Sequence, residues 1–99
     1  NRKSFTLVVR EPPARRGENL LVNTEVTVGR GGGCALAVPD DTFASNLHAR
    51  LFVRDNHLLI EDLGSTNGTV VNRARIDAPT RLRKGDRVVI GQTVLEVDT

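Results

Sequence analysis

Apolar and polar residues alternate with a period of two along most of this chain, and no window carries helical spacing. The pattern predicts a first strand over Phe5–Arg10, then a turn-rich link, EPPARRGE, with two prolines. Strands are expected next at Asn19–Val22 and Glu25–Gly29, where Val26 and Val28 share one face and Glu25 and Thr27 the other. A short apolar strand at Ala35–Val38 stops at Pro39-Asp40-Asp41. The clearest hairpin joins Ala49–Arg54 to His57–Asp62 through Asp55-Asn56, with Leu51 and Val53 facing one way and Arg50 and Arg54 the other. Val70-Val71, a loop NRARIDAPTRL, a Lys84-Gly85-Asp86 turn and strands around Val88–Ile90 and Val94–Val97 complete the chain. About ten short strands punctuated by turns predict an all-β sandwich or barrel.

Such a fold puts function on its loops, and three of them hold polar chemistry that strands do not need. GRGGG at 29–33 follows a strand, but it lacks the Lys-Ser/Thr and the helix of a phosphate-binding P-loop. It reads either as a flexible connection or as a loop that presents Arg30, whose guanidinium can fork onto two phosphate oxygens. The loop DDTFASNLH at 40–48 carries Ser45 and His48, yet no nucleophile elbow and no third triad member accompany them. His48 is expected to be a buried residue that pins its loop. The Asn67-Gly68 pair within EDLGSTNGTVVN is a strong hairpin signal, because a type I′ turn needs positive φ at both central residues. It reads as a plain turn, or as a turn whose Thr66 and Asn67 face a ligand.

Composition narrows these readings. Ninety-nine residues make one domain, and 38% hydrophobic with 26% charged residues argues against disorder. No apolar run is long enough to span a membrane and no signal peptide opens the chain. Because the chain opens on Asn1, it is expected to be a piece of a longer protein, with any membrane anchor or second domain outside it. Cys34 is the single cysteine, so no intrachain disulfide forms, which fits a reducing compartment. A net charge of +2 with only three aromatics, Phe5, Phe43 and Phe52, disfavours a nucleic-acid surface. Cys34, His48 and His57 lack metal-ligand spacing, and Asp40-Asp41 lacks the downstream ligands of a calcium loop; no metal or cofactor is expected.

Gly29-Arg30, Ser45-x-x-His48 and Asn67-Gly68, in that order, resemble the forkhead-associated (FHA) domain. The blocks VTVGR, SNLHARLFV, IEDLGSTNGTVVN and LRKGDRVVIG resemble the family's own, and the DLGSTNGT block is most similar to bacterial members. The resemblance covers residues 5–98 and leaves residues 1–4 as an N-terminal tail. It implies a SMAD-like sandwich of two antiparallel or mixed sheets with about eleven strands and its ligand loops at one end. It implies a phosphothreonine-binding module and not an enzyme. Arg30 and Ser45 would then be the main phosphate ligands, Asn46 and Thr66 further contacts, and Asn67 the amide holding the peptide backbone. Gly29, His48 and Gly68 would shape the loops. Phe43 would favour an apolar peptide residue a few positions from the phosphothreonine. Asn46 departs from the basic residue that the family often carries there. The implied partner is a phosphothreonine-bearing Ser/Thr kinase or its substrate, met by a monomeric domain in the cytoplasm with no direct membrane contact. The other reading is a scaffold that binds partners through its Arg50/Phe52/Arg54 sheet face without phosphate.

Overall fold

The computed structural model describes residues 3–99. Of the expected tail, Asn1 and Arg2 lie outside the described residues, whereas Lys3 and Ser4 hydrogen-bond to the side chains of Asn56 and Asn23. Eleven strands follow in chain order: β1 (Phe5–Glu11), β2 (Asn19–Val22), β3 (Glu25–Gly29), β4 (Leu36–Ala37), β5 (Ala49–Arg54), β6 (His57–Asp62), β7 (Thr69–Val71), β8 (Ala74–Arg75), β9 (Thr80–Leu82), β10 (Arg87–Ile90) and β11 (Thr93–Val97). One turn of 3-10 helix, Pro13–Arg15, sits in the β1–β2 link.

The strands form two sheets, a six-stranded one in the order β2-β1-β11-β10-β7-β8 and a five-stranded one in the order β4-β3-β5-β6-β9. Every pairing is antiparallel except β3 with β4. Alternation along each strand turns one set of side chains inward. Leu7, Val9, Val88, Ile90, Leu95 and Val97 of the first sheet meet Val28, Leu51, Leu58 and Ile60 of the second in one buried core. Each such side chain contributes about 1.5–3 kcal/mol on burial.

Two strands lie inside the stretch that the pattern reads as a loop. β9 pairs Leu58 with Leu82 and buries Leu82, but its neighbours are too polar to show alternation. β8 is two exposed residues held by pairing with Val70 and Val71. The hairpin expected at Asn67-Gly68 is absent. Only Gly68 has a positive φ, and the chain there crosses between sheets: β6 pairs with β5 and β9, β7 with β10 and β8. The I′-like turns, with both central residues at positive φ, are Asp55-Asn56 and Asn72-Arg73.

The Arg50/Phe52/Arg54 face is closed by its own contacts. Phe52 is only 5% exposed, because the Arg50 guanidinium lies 4.0 Å and the Arg54 guanidinium 5.2 Å from its ring centroid. Glu61 and Glu25 both hold Arg50.

Two carboxylates fix the loops at one end of the sandwich. Asp41 accepts hydrogen bonds from the Phe43 and Gln92 amides and from the Thr93 hydroxyl, tying the β4–β5 loop to the β10–β11 turn. Gly91 is required beside it, having φ +62° and no room for a Cβ, which would stand 2.5 Å from Asp41 Oδ1. Asp62 accepts from the Gly64 and Ser65 amides and the Ser65 and Thr69 hydroxyls, and so turns the chain from β6 toward β7. Burial pushes the Asp62 carboxyl up, but the hydrogen bonds from Ser65 and Thr69 outweigh it and hold the group below its ordinary value.

Replacing Asp41 with Ala leaves the Thr93 hydroxyl, 2% exposed as a residue, without its acceptor. The expected cost is about 1–3 kcal/mol, read as a lower denaturant midpoint. For Asp62 the folded value is depressed, so its contribution is complete above the unfolded value of about 3.9 and is lost as pH falls through the folded one. Denaturation midpoints should therefore fall more steeply on acidification in the wild type than in Asp62→Asn; parallel curves would exclude this role.

Candidate ligand-binding loops

Three loops meet at the end that Asp41 and Asp62 organise: β3–β4, β4–β5 and β6–β7. The first two are zipped by backbone hydrogen bonds from Arg30 N to Ser45 O (2.9 Å), Gly31 N to Asn46 O (3.0 Å) and His48 N to Val28 O (3.0 Å). The approach is close enough that a Cβ on Gly29 would lie 2.2 Å from the Asn46 carbonyl oxygen. Gly29 is thus the residue that lets the two loops touch.

Arg30 is exposed, and its Nε donates to the Ala44 carbonyl at 2.6 Å. That single bond fixes the guanidinium plane while its two terminal NH2 groups have no partner among the described residues. Ser45 Oγ accepts the Thr66 amide proton at 3.0 Å, so its own hydroxyl proton is free to donate elsewhere. The second and third loops are thereby joined at the hydroxyl itself.

His48 is fully buried, as the sequence predicts for a pinning residue. Its Nδ1 accepts the Ser45 amide proton at 3.0 Å. That assigns the ring proton to Nε2, which donates to the Gly68 carbonyl at 2.8 Å. The imidazole is committed to two backbone groups, and the hydrogen bond from Ser45 comes from its amide. No nucleophile–base contact therefore links the Ser45 hydroxyl to His48.

Asn67 donates one amide proton to the Phe43 carbonyl at 2.8 Å, a tie the sequence did not reveal. Its Oδ1 and second amide proton have no partner among the described residues. Asn46 and Thr66 are exposed beside these groups, with no side-chain hydrogen bond among the described residues. Phe43 is 51% exposed, and Leu47, which the sequence reading did not single out, is 52% exposed on the same loop. Gly68 takes φ +83° and receives the other end of the His48 bridge through its carbonyl.

All the candidate residues thus converge on one end of the sandwich. The two carboxylates that build the loops, Asp41 and Asp62, are both occupied by loop donors. What remains outward is donor-rich: a fixed guanidinium, two hydroxyls and two amides. That combination suits a multiply charged anion with several acceptor oxygens.

The FHA domain family model matches residues 26–91. FHA domain-containing protein FhaB of Mycolicibacterium smegmatis is 41% identical over 91 residues, which is 92% of this chain and 58% of that protein. The chain therefore spans little more than half the length of that relative. A structure from work on phosphothreonine-dependent FHA domain interactions superposes with TM-score 0.86 at 28% identity, covering 98% of this chain and 97% of the other. The FHA domain of FhaA, solved in complex with the intracellular domain of Rv3910, gives TM-score 0.82 at 29% identity, over 94% of this chain and 98% of that one. Sequence relatives, family pattern and two-sheet topology agree, and the chain belongs to the FHA domain family.

Proposed function

We propose that this domain binds phosphothreonine peptides and recruits the protein that carries it to Ser/Thr kinases or their substrates. The observation that carries the reading is an Arg30 guanidinium held through Nε by the carbonyl of Ala44, the residue before Ser45, together with a Ser45 hydroxyl already oriented by the Thr66 amide. A phosphothreonine brings about two negative charges and three strong acceptor oxygens to that point. Arg30 and Ser45 are the main phosphate ligands, Asn46 and Thr66 add side-chain donors, and Asn67 holds the adjacent peptide backbone. Phe43, half exposed and tied through its carbonyl to Asn67, contacts an apolar residue of the peptide.

The structural neighbours support this reading, one coming from phosphothreonine-dependent interactions and one solved with a protein partner. The sheet-face alternative gains no such support, since Arg50 and Phe52 are engaged within the domain. With a kinase or kinase substrate as its target, the domain acts in the cytoplasm as a monomer in this reading. No helix of the described residues is long and apolar enough to cross a membrane.

Hydrogen bonds to a charged group are worth about 1.5–3 kcal/mol each, so three or four support on the order of micromolar affinity after the costs of association. Calorimetric titration should give binding of that order to a phosphothreonine peptide, weaker binding to its phosphoserine form and none to the unmodified threonine. Arg30→Ala should remain folded and lose about 10- to 100-fold in affinity. Binding that ignores the phosphate, or that survives loss of Arg30, would sink the proposal. His48→Ala behaves differently: it strands the Ser45 amide and the Gly68 carbonyl, and should cost about 2–4 kcal/mol of stability along with binding. A His48→Ala domain of wild-type stability would contradict that bridging role.

A further inference from the structure

Arg75 ends β8, the outermost strand of the six-stranded sheet, directly opposite Val70. The Asn72-Arg73 turn folds β8 back along β7, and this brings the Arg75 guanidinium to the ligand loops. A Cβ on Gly68 would stand 2.4 Å from Arg75 Nε and 2.7 Å from its Cζ, so the guanidinium lies against the bare Gly68 backbone. Gly68 is the residue immediately after Asn67.

Charge pairing separates Arg75 from five other arginines of the domain. Arg10, Arg15, Arg16, Arg50 and Arg87 each pair with a glutamate. Arg75 is exposed and, among the described residues, has no carboxylate within ion-pairing distance and no side-chain hydrogen bond. The two acids that organise the ligand loops, Asp41 and Asp62, are occupied by loop donors, and Asp77, two residues further along the chain, makes no ion pair with Arg75 among the described residues. Arg75 is thus, with Arg30, a guanidinium without an ion-pair partner at this end of the sandwich, set against the residue that follows Asn67.

We propose that Arg75 reads an acidic side chain of the bound peptide, on the side where the peptide crosses the β6–β7 loop. The inference rests on the phosphothreonine reading above. Extended peptide advances about 3.3 Å per residue, so an aspartate or glutamate one to three positions from the phosphothreonine comes within reach of a guanidinium beside Gly68. The planar fork suits a carboxylate and lies against the glycine, where no side chain blocks it. Phe43 and Arg75 then read different features of one peptide, one apolar and one acidic. An arginine that merely protects the exposed β8 edge from pairing with other chains would show no peptide preference at all.

The test is a set of phosphothreonine peptides carrying Ala, Asp or Lys at each position from three before to three after the phosphothreonine, titrated into wild type, Arg75→Gln and Arg75→Glu. In the wild type, Asp at one or two positions on a single side should tighten binding about two- to fivefold, the range of a partly exposed charge pair, and less so at high salt. That Asp-to-Ala ratio should fall to about one in Arg75→Gln, and Arg75→Glu should instead favour Lys at the same position. Absence of any acidic preference, or a preference that persists in Arg75→Gln, overturns the inference. The all-alanine peptide with and without phosphate separates the two levels. Phosphate dependence without acidic preference removes only the role of Arg75, whereas loss of phosphate dependence removes the parent reading and this one together.

Discussion

The His48 ring accepts the Ser45 amide proton on Nδ1 and gives its own proton from Nε2 to the Gly68 carbonyl, and the ligand face depends on that bridge. Ser45 lies in the loop that feeds β5 of the five-stranded sheet, and Gly68 immediately precedes β7 of the six-stranded one. One neutral imidazole therefore couples the two layers where the loops meet. Being fully buried, it has no water to compensate either group, so the bridge fixes the separation of the loops. The remaining contacts across the gap, Ser45 Oγ with the Thr66 amide and the Asn67 amide with the Phe43 carbonyl, presuppose that separation.

The second constraint is electrostatic. Loops that bring many backbone amides together need acceptors, and here Asp41 and Asp62 supply them from within. Each carboxylate is spent on amide and hydroxyl donors of its own or a neighbouring loop. The same arrangement that satisfies the backbone removes those negative charges from competition for Arg30. Arg30 is steered by an uncharged partner, the Ala44 carbonyl, which orients the guanidinium without neutralising it. A glutamate in that place would have given a tidier ion pair and a weaker anion site.

Much of this was legible in the residues. Period-two alternation located nine of the strands because each has one face in the core, as Val88 with Ile90 and Leu58 with Ile60 illustrate. The candidate ligands Arg30, Ser45, Asn46, Thr66 and Asn67 were implied by the family resemblance that the ordered short motifs carry, and the fold brings their loops to one end. The strands β8 and β9 were missed because one is wholly exposed and the other buries a single leucine, so neither leaves a periodic trace. Asn67-Gly68 misled for a related reason. The pair has hairpin chemistry, but Asp62, Ser65 and His48 take up the local hydrogen bonds and send the next strand to the other sheet.

By itself the sequence determined the class of fold, the stop points of its principal strands and the identity of the polar residues that its loops display. Those follow from local rules: which faces must be buried, which residues tolerate a turn, which side chains carry donors. Only the tertiary structure decided which of those donors remain free. Arg30 Nε is taken by Ala44, one Asn67 proton by Phe43, and Ser45 Oγ is filled on one side by Thr66, across separations of 14, 24 and 21 residues. It also decided that Arg75, unremarkable in a loop of charged residues, lies against Gly68. A hydrogen bond or a packing contact is set by distance in space, and between loops on two sheets that distance is fixed by the packed core rather than by any spacing along the chain.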